Sequence, residues 1–224
     1  MQLFKRKPAH VYEILAGLFV TTLIVSNIAS TKIIAVGPFV FDAGTILFPL
    51  AYIVGDIVTE VYGFRKMRSL IYVGILMLLV TTLTFWAVGL LPAASDWTNQ
   101  AAYDTILGVV WRIVFASITA IFVGEIMNSY VLATLKIKTK GKQLWGRIVG
   151  SSAVGSMIDT VLFTVLAFAG TMPFDVLLSI IGTVFLIKML TEVTVSPLTL
   201  RVIHYIKKHE KIDSYEAPTL DFTH

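Results

Sequence analysis

Cysteine is absent from the 224 residues. That excludes a disulfide framework, a thiolate metal site and a cysteine nucleophile. Charge is scarce as well: Asp, Glu, Lys and Arg together make 14% of the chain against 56% hydrophobic residues, too apolar a balance for an ordinary soluble domain of this size. Histidine is nearly missing, and His10, His204, His209 and His224 lie at helix ends or in tails. No HExxH, no intramembrane Ser-His pair, no metal cluster and no Gly-rich phosphate loop ending in Lys-Ser/Thr is present, so no cofactor is expected and transport is favoured over catalysis. The net charge of +4 does not point to nucleic acid, because the basic residues sit in short clusters between apolar runs, where they report topology.

What the chain does have is six apolar runs, at about 11–34, 45–63, 70–91, 105–135, 148–168 and 176–205. Each is long enough to cross a bilayer as a helix. A basic start before the first run also opens secretory signal peptides, but this run is too long for one and five more follow. The fold expected is therefore an all-α integral membrane protein: a short N-terminus (1–10), a six-helix domain (11–206) and a polar tail (207–224), the tail partly disordered or lying at the surface. All Lys and Arg except Lys32, Arg112 and Lys188 fall before the first run, after the second, between 136 and 147, or from the end of the sixth onward. With six spans these clusters share one side, so the positive-inside rule puts both termini in the cytoplasm. Residues 35–45, rich in Gly, Pro and aromatics, read as a short hairpin or re-entrant turn.

The second run, TILFPLAYIVGDIVTEVYG, organises the rest. Asp56 and Glu60 are four apart and so share one helix face. A charge inside a spanning helix is costly unless it meets protein, water or a partner, which makes it a functional candidate. Glu125, Asp159 and Glu192 join them from later runs, with Asn27, Arg112 and Lys188 as the complementary donors. At about 1.5 Å per residue, Asp159 and Lys188 fall near mid-membrane, Asn27 and Arg112 in the outer half, and Glu60 and Glu125 toward the cytoplasm. Lys188 and Glu192, one turn apart, can also neutralise each other, and Asn27 can serve as packing glue. Together these groups describe a polar cavity, with Phe48, Trp111 and Phe115 at hand for stacking. The small residues Gly150, Ser151, Ser152, Ala153, Gly155 and Ser156 allow close contact with a neighbouring helix.

The combination of Asn27-Ile28 with Lys32, Phe48-Pro49 followed by Asp56, Glu60 and Tyr62-Gly63, Arg112 with Ala116-Ser117, Asp159-Thr160 with Phe163, and Lys188 followed by Ser196-Pro197 resembles the queuosine precursor transporter family, also called the putative vitamin uptake transporter family. The resemblance runs from about residue 11 to 207, and the F-P then D-x-x-x-E-x-Y-G pattern is its most specific part. It implies a six-helix importer of the inner membrane, similar in fold to the substrate-binding subunits of energy-coupling-factor transporters. The cargo it implies is a 7-deazaguanine used to make queuosine in tRNA: 7-cyano-7-deazaguanine, 7-aminomethyl-7-deazaguanine or queuine. Asn27, Phe48, Arg112, Glu125, Asp159 and Lys188 are then the expected binding residues, and Asp56, Glu60 and Glu192 the expected coupling or gating residues. A homodimer and an ATPase module are the partners left open, as is a capture subunit that needs such a module, or a membrane enzyme using Asp56 and Glu60 as acid and base.

Overall fold

The computed structural model describes residues 11–36, 39–108 and 111–220. Lipid offers the backbone no hydrogen-bond partners, so a chain this apolar satisfies its N–H and C=O groups within helices. They are α1 (Val11–Ala29), α2 (Phe48–Tyr62), α3 (Phe64–Gly89), a short α4 (Gln100–Leu107), α5 (Trp111–Lys138), α6 (Leu144–Phe168) and α7 (Phe174–Glu210). Among the described residues, six helical stretches are long and apolar enough to cross a membrane, α2 being extended by the 3-10 turn at Ala43–Ile46. The helices are not the whole of it. An antiparallel hairpin, β1 (Ile33–Val36) and β2 (Phe39–Asp42), with Ile33 opposite Asp42, links α1 to α2; of the two forms the composition of 35–45 allows, hairpin or re-entrant turn, it is the first.

Several boundaries differ from the sequence reading, for physical reasons. The first helix stops at Ala29 because Ser30, Thr31 and Lys32 turn back onto the carbonyls of Ser26, Ile28 and Ala29. The third begins at Phe64, immediately after α2, because Gly63 alone makes the turn at φ +92°, a left-handed conformation that a Cβ would strain. Pro49 is tolerated in the first turn of α2, where no N–H is needed. Pro197 lies inside α7, which continues on both sides of it.

Apolar side chains form one packed core, with Phe19, Leu23, Val54, Val58, Met67 and Ile71 of α1, α2 and α3 joined by Ile121 and Leu132 of α5, Ile148 of α6 and Ile203 of α7. The other face of α3 carries exposed Tyr72, Val73, Leu76, Val80, Leu83 and Trp86, a lipid-facing surface as its lack of charge in that stretch suggests. Lipid is as apolar as leucine, so greasy contact contributes little to helix association; close packing and polar bonds do more. At α5 and α6 the packing is very close. A Cβ on Gly155 would lie 2.6 Å from the Asn128 Cβ and 2.8 Å from the Gly124 carbonyl, and one on Gly124 would lie 2.6 Å from the Asp159 Cβ. The neighbour that the small-residue stretch serves is therefore α5 of the same chain. With Ser151, Ser152, Gly155 and Ser156 buried there, these residues are not a free docking face.

Candidate functional site

The α5–α6 contact sets two polar stripes side by side, and α2 and α7 close over them. Asn128 of α5 donates to Asp56 Oδ1 at 3.0 Å, and Ser152 of α6 to Asp56 Oδ2 at 3.3 Å. Lys188 of α7 donates to Asp159 Oδ2 and, at 3.3 Å, to the Thr160 hydroxyl. Glu125 and Glu192, both buried, complete the group, with the Tyr52 hydroxyl among its carboxylates and beside Ser156. Four carboxylates thus share this centre with Lys188. Glu125 Oε2, Glu192 Oε1 and Asn128 Oδ1 are buried without a hydrogen-bond partner, each an orphan acceptor costing about 1–3 kcal/mol. Such a set has acceptor capacity to spare for the N–H groups of a ligand.

A second polar cluster sits at the end of the bundle where α2, α5 and α7 finish. Here Glu60, with no exposed side-chain surface, receives Arg147 on both oxygens at 2.6 and 3.2 Å, Lys207 at 2.7 Å, and Lys136 at 3.5 Å. Asp213, beyond α7, bonds Lys136 at 2.5 Å and Lys207 at 2.8 Å. Residues 211–220 are thus tied across this basic end rather than hanging free. Burial pushes the Asp213 carboxyl up, but hydrogen bonds from the two ammonium groups outweigh it and hold the carboxyl below its ordinary range. Arg147 also donates to the Lys142 and Gly141 carbonyls.

The sequence-predicted residues divide among three places. Glu125, Asp159, Lys188, Asp56 and Glu192 meet in the centre, and Glu125 belongs there rather than toward the basic end. Glu60 lies one turn further on and is neutralised by three cations. Asn27 and Arg112 stand at the distal end. Asn27 donates to the Leu23 carbonyl of its own helix and accepts from Ser117 at 3.1 Å, which is the packing arrangement. Arg112 donates to the Leu166 and Ala169 carbonyls, capping α6. Glu125 follows Arg112 by 13 positions on α5, about 20 Å along a helix. Trp111 and Phe115 are 48% and 63% exposed and face outward, so they do not line the centre. The Phe48 side chain, like residues 1–10, lies outside the described residues. Lys188 bonds Asp159 on the neighbouring helix rather than being simply spent on Glu192.

Sequence reasoning passed over Tyr52, Lys136, Arg147 and Lys207. Tyr52 carries a readable signal, since 52, 56 and 60 form one stripe at a spacing of four. A cavity of about 290 Å³ opens at the distal end, lined by Asn27, Ser30, Thr31, Thr81, Thr82, Phe85 and the start of α5 among others. It does not include the central carboxylates. The cavity's Asn27, Ser30, Thr31 and Thr81 bond helix carbonyls.

Comparison with known proteins adds an independent line. A family model described as putative vitamin uptake transporter matches residues 42–202. A protein of Bacillus subtilis (strain 168) named "probable queuosine precursor transporter" is 32% identical over 179 residues, covering 77% of each chain. One of the same name from Haemophilus influenzae is 26% identical over 162 residues, covering 71% of this chain and 66% of the relative. No solved structure gives a significant match.

Proposed function

The chain belongs to the putative vitamin uptake transporter family and is a multi-pass membrane protein; from that premise we propose that it imports a queuosine precursor of the 7-deazaguanine class. The names of the two relatives support this cargo, and one observation in the structure carries it: the closed centre holds acceptor oxygens that no protein group satisfies. A guanine-like edge presents paired N–H donors, which a carboxylate accepts two at a time, together with an oxygen acceptor. Asp159 and Glu125 take the donor edge in this reading, and Lys188, already bonded to Asp159, takes the acceptor. Asp56 and Glu192 are the coupling residues and Glu60 a gating one.

The orientation that goes with import has both termini in the cytoplasm, in the inner membrane of the cell, on a six-helix plan like that of energy-coupling-factor binding subunits. The basic clusters support it. The reading requires neither a second copy of the chain nor an ATPase module.

The test is calorimetry or thermal shift on purified protein with 7-cyano-7-deazaguanine, 7-aminomethyl-7-deazaguanine, queuine and guanine side by side. Selective binding of a deazaguanine is the expected result, and binding of none by folded protein overturns the cargo. Binding without transport by the reconstituted chain marks instead a capture subunit that needs an ATPase partner. Asp159→Asn is expected to abolish binding while leaving the elution profile of the folded protein unchanged; unaltered affinity removes Asp159 from the site.

A further inference from the structure

The end of α7 and the segment after it touch more of the bundle's end than a polar tail needs to. Glu210 accepts from the Val11 N–H at 3.0 Å and from the Tyr62 hydroxyl at 2.5 Å. Asp213 then bridges Lys136 and Lys207, and the Ser214 N–H donates to the Val61 carbonyl at 3.0 Å. Lys136 donates to the Ser214 carbonyl at 2.6 Å and lies 4.5 Å from the centre of the Tyr215 ring. Arg68 of α3 reaches the Thr219 carbonyl at 3.4 Å. The strand of chain from 211 to 220 therefore joins α2, α3, α5 and α7 by side chains or backbone.

The bundle is shaped to receive it. A Cβ on Gly63 would lie 2.6 Å from the Ser214 hydroxyl, and one on Gly141 would lie 2.2 Å from the Tyr215 hydroxyl. Both glycines have positive φ, so each turn is built without a side chain at the spot the segment occupies. Under the segment lies the Glu60 cluster, and one turn beyond that is Asp56. The Glu60 bonds to Arg147 and Lys207 hold α2 to α6 and α7 between the centre and this end. Asp213 ties down two of the three cations that hold Glu60.

We propose that residues 211–220 are a latch over the basic end of the bundle, with Asp213 as its ionic catch, and that the latch must lift for the centre to open on that side. This deepens the transport reading, from which it takes the existence of such an opening, but its test does not depend on the cargo. The Asp213 carboxyl faces Lys136 of α5 and Lys207 of α7, with Glu60 of α2 and Arg147 of α6 in the next layer. Asp213 is about two-fifths exposed, so it can be released without extracting a buried charge.

The chain has no cysteine, so a single one reports without background. Ser152→Cys places a thiol against Asp56 in full-length protein in membrane vesicles, and a membrane-impermeant maleimide is added on the latch side. Asp213→Asn, and separately a stop after Lys211, are expected to raise the labelling rate several-fold, while Lys208→Ala, a charge change on the exposed surface of the same end, leaves it unchanged. Ser156→Cys repeats the measurement where Ser152→Cys fails to fold. Equal rates with and without the catch in folded protein overturn the latch and leave the cargo assignment standing. Rates raised as much by Lys208→Ala overturn it too, since charge alone then explains them. Failure of every deazaguanine to bind, with latch-dependent labelling intact, removes the cargo and not the latch.

Discussion

Replacing Glu60 by Gln keeps its shape and removes its charge, which separates a structural role from a proton-carrying one. With Arg147, Lys207 and Lys136 around it, the substitution leaves buried cations without their counter-charge, and losing one partner of such a pair costs about 3–5 kcal/mol. A large fall in the melting temperature of the purified protein is expected for Glu60→Gln; an unchanged melting temperature shows that the cluster does not hold the helices. Asp213 makes a pH prediction of opposite flavour. Its folded carboxyl titrates below its ordinary value, so its contribution is complete above the unfolded value of about 3.9 and is lost as pH falls through the lower folded one. The stability gap between wild type and Asp213→Asn, measured by melting at a series of pH values, should be constant near neutrality and close only in strong acid. A gap that vanishes near pH 6 would contradict the ion-pair account.

These residues also mark where the sequence ran out. Asp56, Asp159, Lys188 and Glu192 were legible because a charge in an apolar run has few bland explanations. Lys136, Arg147 and Lys207 were not, because a basic residue at a helix end looks the same in sequence whether water or a buried carboxylate receives it. Arg112 shows the opposite ambiguity. Its place in an apolar run suggests a cavity, yet its guanidinium reaches across to cap α6.

At the level of elements, the Gly124–Gly155 contact sets how near α5 and α6 approach, and so where Asn128 and Ser152 meet Asp56. Gly155→Ala puts a methyl into a gap that Asn128 and Gly124 already fill, and overpacking of this kind costs about 1–3 kcal/mol. Because Asn128 has to move, the expected outcome is a lower melting temperature together with weakened deazaguanine binding. A change in melting alone would uncouple the helix contact from the site. The small-residue run at 150–156 was readable as a contact surface; its partner was not, since period and size name a face and not its neighbour. Gly, Pro and aromatics at 35–45 marked a connection, hairpin or re-entrant turn, without deciding between the two, and the single-residue turn at Gly63 was not legible, because a glycine after Tyr looks in sequence like any helix stop.

Among the described residues, the basic clusters after α2 and between α5 and α6, the start of α1 and the end of α7 lie at one end of the molecule. Single cysteines test the orientation proposed for it. Ser95→Cys, in the loop after α3, should be labelled by an impermeant reagent added to intact cells, and Lys140→Cys, between α5 and α6, only after the membrane is permeabilised. The reverse pattern would invert the assignment and with it the direction of import. The span count was legible because bilayer thickness fixes run length; the closed centre, which needs four helices at once, was not.

The Glu60 cluster also sets an order of events during synthesis. Glu60 and Arg147 are 87 residues apart, and Glu60 and Lys207 are 147 apart. At roughly 5–20 residues per second of translation, α2 enters the bilayer many seconds before either cation leaves the ribosome. During that interval its carboxylate has no counter-charge from α6 or α7, so α2 gains its place only when those helices arrive. Early fragments of this chain should therefore be held at the insertion machinery, or cleared by membrane proteases, until late in translation.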